Sequence, residues 1–560
     1  MSDFLQHYTL SYTPLSPIHI GTGDSYEPTN YVIDDGTLYE FDTGGALAAL
    51  TETDRNELNK IVNARANEEM LKAVQRFFYD RREALKPWAV NAIPVLDGVA
   101  SFYAKRVGQN ANREGGGGQV LNKLEIDRTA YNPINRQPVL FGSSIKGAIR
   151  TALLDQVNQG NRASERKGLH DFQGRLFKYR EPERGKLFLE QDPMRLVQFG
   201  DAVWNTANTL PTTQVYLAVN RKKVPVDNKG VLRQAMGENL YQILECVPAL
   251  YSQSFYGSLN LQQIDLHVPN KTPALCFSIT DIAHACNDFY KKQFEGEFEL
   301  LQEREYGDSA WQHTLNELLE LAKDKIKMGN AFILRVGRHS GAEAVTVQGA
   351  RNGNIKIMKG KGQQPEFADA PKTLWLAAND PKQRNNLLPF GWLLVEIHPG
   401  NAPVSDWPEL AELCQSQQAQ ARQWAKKHAH QKAQQAVKRQ AAEQRRHQEE
   451  IERQQRLELE QTEQHARLAK QQADEQRRAA MSLEQLQIEA LRQQLEQKQA
   501  GKAREQIGGP LYGDLRKLIE QAIDWPLDSK TELLVVAKSV LEFIGASGNK
   551  KAKELLKTLQ

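Results

Sequence analysis

At 560 residues the chain is too long for one compact domain, and two or three are expected. Apolar residues make up 40%, enough for a real core, but no run approaches the ~20 apolar residues of a membrane span, and the first ten residues carry no secretion signal. The net charge of only +3 excludes a whole-chain basic argument for nucleic acid. Cys246, Cys276, Cys286 and Cys414 form no CxxC pair, against a zinc ribbon or disulfide framework, so a soluble protein of a reducing cytoplasm is expected.

In chain order, residues 8–15 alternate as a strand. They run into Ser16-Pro17-Ile18-His19-Ile20-Gly21-Thr22-Gly23, a Gly-x-Gly turn whose glycines let backbone N–H groups approach a ligand. Taken alone, a purely structural turn is the simpler reading. Residues 31–33 and 38–41 around Asp35-Gly36 read as a hairpin. Residues 46–86 are helical in pattern, and the four glycines at 115–118 read as a loop. The stretch 140–152 opens a helix over 144–156 with Ser143 or Ser144 as N-cap. Lys146 falls in its first turn and Arg150 one turn later on the same, exposed face. Free N–H groups, hydroxyls and two cations there make a phosphate site; a capped helix with a solvated basic face is the plain alternative.

Residues 162–188 hold eight Lys/Arg and four acids, with Phe172, Phe177, Tyr179 and Phe188 interleaved for base stacking. Strands are expected at 215–219, 252–261, 332–336 and 392–397, and helices at 279–304 and 309–325. Leu334-Arg335-Val336-Gly337-Arg338-His339-Ser340-Gly341 is a strand entering a Gly-rich loop. From Arg335 to Lys361 six Lys/Arg stand against one acid, Glu343, a local balance suited to a phosphate backbone.

The last part differs in kind. From 409 to 500 there is neither Gly nor Pro, and 24 of the 86 residues from 415 to 500 are Gln. These are helix formers with sparse apolar positions, so a long, solvated, partly frayed helix is expected and not a strong coiled coil. Its first third is basic, as in arms that lie on nucleic acid, but a solvated spacer is the simpler reading because no aromatic follows Trp424 in the stalk. A stripe appears only at Leu483, Leu486, Ile488, Leu491 and Leu495. Beyond Gly508-Gly509-Pro510, residues 511–525, 531–544 and 550–559 read as three amphipathic helices with a core of their own.

Several blocks together resemble the RAMP superfamily of CRISPR proteins. They are 17–23, 30–34, Arg128-Thr129-Ala130-Tyr131-Asn132-Pro133 followed by the 142–152 helix start, the segment 192–201, and the 337–341 loop. The block 128–133 with the 142–152 helix start after it looks like the terminal subunit family of type III-A (Csm) complexes. The resemblance covers about residues 5–400; Leu140-Phe141 stands where an Ile-Pro pair is usual. It implies an α+β class with a ferredoxin-like (RRM-type) body over 1–400, in approximate halves 1–200 and 201–400 with a helical insertion at about 46–120. A helical stalk over 401–506 and an all-helical domain over 507–560 are extra to that pattern.

The implied role is binding guide RNA towards its 3′ end and supporting its maturation and complex assembly in antiviral defence. The implied partners are guide RNA and other Csm-type subunits, especially the neighbouring RAMP backbone subunit, with a nuclease or other protein at the tail and no membrane. RNA contacts are expected from His19, Gly21, Gly23, Ser143, Ser144, Lys146, Arg150, Arg335, Arg338 and His339. Asp34 and Asp35 read as turn residues. Asp127, in a loop, is the candidate for metal-dependent cleavage, and His19 for acid–base work. Without a paired carboxylate or histidine cluster, neither enzymatic activity nor a metal or cofactor is expected. The alternatives are a metal-dependent RAMP-type endoribonuclease and a scaffold recruiting a partner through its tail.

Overall fold

A computed structural model of the chain describes residues 4–560 apart from 65, 110–111, 114–119, 122–123, 163–168, 182, 184, 227–228, 232–239, 265–270, 352–354, 359–361, 401–403 and 502–504. The glycine run at 115–118, and Lys359 and Lys361 of the basic stretch, lie outside the described residues. The chain forms two compact units, Met1–Ala442 and Glu443–Gln560. No helix among the described residues is long and apolar enough to cross a membrane.

The first unit is mixed α+β. Its large sheet runs in the order Ala331–Arg335, Trp392–Pro399, Leu5–Pro14, Phe255–Gln262, Ala202–Trp204, Val139–Leu140. Every pairing in it is antiparallel, and Val197–Phe199 pairs alongside on Phe255–Gln262. Strands come from both sides of residue 200, so the sheet has no boundary there. The helices Gly142–Asn158 and Ile279–Glu303 cover it, burying Ile145, Ile149, Leu153, Cys286, Phe289 and Tyr290 in one core with Leu10, Tyr12, Phe332 and Trp392.

A smaller sheet runs Thr373–Ala378, Gln214–Lys222, Tyr241–Cys246, Ile126–Thr129, Gly21–Tyr26. The residues expected as a Gly-x-Gly turn therefore open a strand; Gly23, at φ +87°, takes a conformation open to glycine. Residues 15–20 pass between the sheets: the Trp392 carbonyl accepts the Leu15 N–H (2.8 Å), and Ile18 and Val247 exchange backbone hydrogen bonds of 3.0 and 2.8 Å.

The hairpin Tyr31–Asp34/Thr37–Glu40 turns through Asp35 and Gly36, both at positive φ (49° and 70°), the backbone that a two-residue hairpin turn requires. The helical stretch after it resolves into Thr43–Ala49, Glu52–Val62, Glu68–Asp80 and Arg82–Leu85. The second of these starts on a Thr51/Asp54 capping box, which satisfies two end N–H groups at once.

The tail carries the expected long helix over residues 408–479, but its start is not solvated and it ends earlier than expected. Helices Pro408–Gln415 and Ala419–Ala479 continue into one another through a single 3₁₀ turn at Ser416–Gln418, and the first part packs on the body. Leu410 and Cys414 are fully buried, the Trp424 Nε1–H donates to Thr37 Oγ1 (3.0 Å), and Lys427 pairs with Asp35 (2.6 Å). In the second unit the helix stops at Ala479, and Ser482 opens Leu483–Ala500 with its own capping box. Ile488, Leu491 and Leu495 then join Leu511, Leu515, Ile519, Leu533, Val536, Val540 and Leu541 in one core. That core draws on four helices, Leu483–Ala500 with Pro510–Gln521, Leu527–Phe543 and Lys550–Lys557, where three were expected.

Candidate nucleic-acid interface

The expected site residues divide into two groups. The first gathers where residues 15–23, 126–131 and 335–341 meet. The His19 carbonyl accepts the Arg338 N–H at 2.8 Å. Gly337 allows that approach: it sits at φ +81°, and a Cβ there would stand 2.4 Å from the His19 oxygen. His19 is completely buried. Its Nδ1 lies 2.8 Å from the Glu245 carbonyl oxygen, which can only accept, so Nδ1 carries the proton. Nε2 is then a bare acceptor, buried and without a partner, facing Gly21 where a Cβ would lie 3.3 Å away. Burial, foremost, holds this imidazole below its ordinary pKa.

Next to it, Arg338 is exposed and its guanidinium meets the Asp127 carboxylate at 2.5 Å. His339, at φ +66°, stacks on Trp375 with centroids 4.7 Å apart and faces the Gln242 amide oxygen at 2.9 Å. Burial first, then the charge of Arg338, pushes its pKa down to about 3. It is neutral near pH 7 and supplies a ring and a hydrogen bond, not the positive charge that a basic motif suggests.

The second group surrounds the helix Gly142–Asn158. Phe141, not a serine, holds the N-cap position, and no side chain of its own caps it. Asp201 Oδ1 instead accepts the Gly142 N–H at 2.8 Å, a carboxylate at the positive end of the helix dipole. Ser143 is exposed and Ser144 half-buried.

Lys146 and Arg150 do not form the expected solvated face. Lys146 Nζ donates to the Val197 carbonyl (2.8 Å), and burial lowers its pKa. Arg150 pairs with Asp192 (2.8 Å), donates to Gln173 Oε1 (2.9 Å) and Tyr179 Oη (3.1 Å), and lies over the Phe177 ring. Arg335 is likewise taken up inside: it binds Glu297 through two bonds (2.6 and 3.0 Å) and lies over Trp392. Its guanidinium is therefore not presented to the surface beside Arg338. Phe172, Phe177 and Tyr179 are buried, so these rings of the 162–188 patch build core and leave no face for a base.

The two groups are close. The Ile20 carbonyl accepts the Ala130 N–H, and the Ala130 carbonyl accepts the Val139 N–H, three residues before the helix begins. Two strand spacings of about 4.8 Å separate Ile20 from Val139, a distance that one or two nucleotides of extended backbone cover. Beneath the surface a buried network ties these strands to the hairpin. Arg128 lies between the rings of Tyr26 and Tyr131 and donates to Glu40 (3.1 Å). The Tyr26 and Thr213 hydroxyls donate to Glu245 (3.2 and 2.8 Å), whose pKa burial raises to about 6.

Asp201, Gln242 and Trp375 were not anticipated as neighbours of the site. Asp192 and Asp201 did bound a segment of the resemblance, and their contacts with Arg150 and Gly142 give that segment its physical reason. No group of three or more His, Cys, Asp or Glu that could hold a metal occurs among the described residues.

The RAMP superfamily model matches residues 11–330. One similar solved chain belongs to a cryo-EM structure of a Csm–crRNA–target RNA ternary complex of a type III-A CRISPR-Cas system. It is 17% identical, with a TM-score of 0.41, and the match covers 70% of this chain and 100% of that one. Another is the crystal structure of Csm5 from T. onnurineus, at 15% identity and a TM-score of 0.35, covering 69% and 99%. No curated protein matches.

Proposed function

Because the chain belongs to the RAMP superfamily, we propose that it is a non-catalytic, RNA-binding subunit of a type III CRISPR effector complex, placed towards the 3′ end of the guide RNA. The observation that carries this reading is the surface where the Gly21–Gly23 strand start and the Gly337–Gly341 loop meet, with Arg338 exposed on it. Open glycine backbone and a cation there suit a phosphate chain, which positions an RNA without reading its sequence. The helix start at Ser143 and Ser144 extends the same track. The body supports the reading too: strand Leu5–Pro14, helix Gly142–Asn158, strands Val197–Phe199 and Ala202–Trp204, strand Phe255–Gln262, helix Ile279–Glu303 and strand Trp392–Pro399 follow one another as in a ferredoxin-like unit.

Binding is favoured over cleavage because Asp127, the carboxylate that a nuclease would use, is held by Arg338 at 2.5 Å. The test is binding of the unit 1–442 to a single-stranded RNA, compared with its Arg338→Glu variant. The expected result is binding that the variant weakens alike for all sequences. Mg²⁺-dependent cutting that disappeared in Asp127→Ala would replace this reading with the nuclease one.

A further inference from the structure

Away from that surface, a cavity of about 330 Å³ opens between the helix Ile279–Glu303, the end of strand Ala331–Arg335 and residues 343–351. Four cations line it (Lys223, Lys292, Arg335, Arg351) against two acids, Glu297 and Glu343. Both acids are engaged. Glu297 takes two bonds from Arg335, and Glu343 takes Lys223 Nζ at 2.7 Å. Arg351 lies over Phe289 and donates to the Thr346 and Glu343 carbonyls (3.1 and 2.7 Å). It has no carboxylate in contact among the described residues, and Lys292 forms no ion pair there. Asp155, behind them, is near enough to feel both charges but gives an oxygen to the Gln348 N–H (2.6 Å). The cavity therefore keeps uncompensated positive charge.

Two further features belong to the same lining. Gln293 uses its NH₂ on the Phe289 carbonyl (3.0 Å), which leaves its carbonyl oxygen buried without a partner. A buried acceptor left unmatched is unfavourable, and a turn of the amide towards the cavity would let a ligand hydroxyl or amine satisfy it. Gly296, on the same helical face as Phe289, Gln293 and Leu300, is the second. Glycine inside a helix is unfavourable against alanine, and packing does not require it here, because an added Cβ would meet nothing within 4 Å. A side chain there would occupy the cavity. Phe289, Leu300 and Leu374 supply apolar wall.

From a cationic end, an unmatched acceptor, an apolar wall and a volume at the small end of ligand pockets, we propose that this cavity binds a mononucleotide. The phosphate lies against Arg351 and Lys292, and a sugar hydroxyl or base amine donates to Gln293. The ligand is either free or the terminal nucleotide of an RNA. This site is separate from the proposed RNA track and does not depend on it.

Titration calorimetry of the full chain with AMP, CMP, GMP and UMP, and with inorganic phosphate as control, tests the assignment. At least one nucleotide should bind, and it should bind about tenfold or more weakly to Gly296→Leu, a change that fills the cavity while improving the helix. Lys292→Gln should weaken it in the same sense. A short single-stranded RNA gives the second arm. Unchanged RNA affinity in Gly296→Leu assigns the cavity to a free nucleotide, and a parallel loss assigns it to an RNA end. No binding of any nucleotide, equal binding to Gly296→Leu, or phosphate binding as tightly as the nucleotides would overturn the proposal. Arg338→Glu, which disables the RNA track, should leave mononucleotide binding intact, so failure of one site is distinguishable from failure of the other.

Discussion

Arg150 and Arg338 each face a carboxylate, Asp192 at 2.8 Å and Asp127 at 2.5 Å, but their surroundings differ. The Arg150 pair keeps only 20% and 16% of its side-chain surface, and the Arg338 pair 39% and 33%. A half-buried, multiply hydrogen-bonded guanidinium contributes to stability, while an exposed pair contributes little. Arg150→Ala is therefore expected to lower unfolding free energy by about 2 kcal/mol, read by urea titration of the unit 1–442, whereas Arg338→Glu should shift it by less than about 0.5 kcal/mol.

His19, buried, and His339, half-buried, add a pH dependence. Both have folded pKa values below the ordinary one, His339 down to about 3. Their neutral forms are the folded forms, so the stability they contribute is present above about pH 6.5 and is lost as pH falls towards 3. His339→Asn, with a residue that tolerates positive φ, should flatten the stability profile between pH 6.5 and 4.5 relative to the wild type. An unchanged slope would remove His339 from that account. At this scale the sequence was a partial guide. The cations of the basic motifs can be read along the chain, but what stands opposite each cannot: Asp192 lies 42 residues beyond Arg150, and only the folded sheet brings it back.

Elements were legible where periodicity and punctuation agree. The helices Ile279–Glu303 and Ser309–Lys327 carry regular apolar stripes and polar caps, and Asp35-Gly36 marks its hairpin without ambiguity. The strand Gly21–Tyr26 was missed because four of its six residues are exposed, so no alternation betrays it. The break at residues 480–482 was missed because it contains neither Gly nor Pro; its signal is the Ser482/Gln485 capping box, which a composition reading passes over. Ser482→Ala should cost about 1 kcal/mol in the second unit, measured by thermal melting of a fragment starting at residue 475. Since Ile488, Leu491 and Leu495 belong to its core, a 482–560 fragment should melt cooperatively by circular dichroism. A 507–560 fragment, which lacks one of the four helices, should show reduced helicity and no sharp transition. Equal melting of the two fragments would mean that the first helix is dispensable.

For the whole molecule, the boundary matters to any truncation. Ending the chain at residue 400 removes Leu410 and Cys414, both fully buried in the main core, and losing one such leucine side chain typically destabilises by about 2–5 kcal/mol. The 1–442 unit is expected to fold with its RNA binding intact, and 1–400 to melt markedly lower, as differential scanning fluorimetry of the two would show. The Arg338–Asp127 pair also bears on how RNA binding should respond to salt. Asp127 acts as a built-in counterion: when a phosphate takes Arg338, a cation leaves the RNA but another is drawn to the vacated carboxylate, so the exchange is nearly neutral in free ions. An ordinary contact to single-stranded RNA steepens the log–log salt plot by about 0.7; this one should hardly register. Asp127→Asn removes the stored anion, and the variant should bind RNA more tightly at low salt and lose that advantage as salt rises. The wild-type protein thus exchanges some affinity for binding that holds steady across ionic strengths.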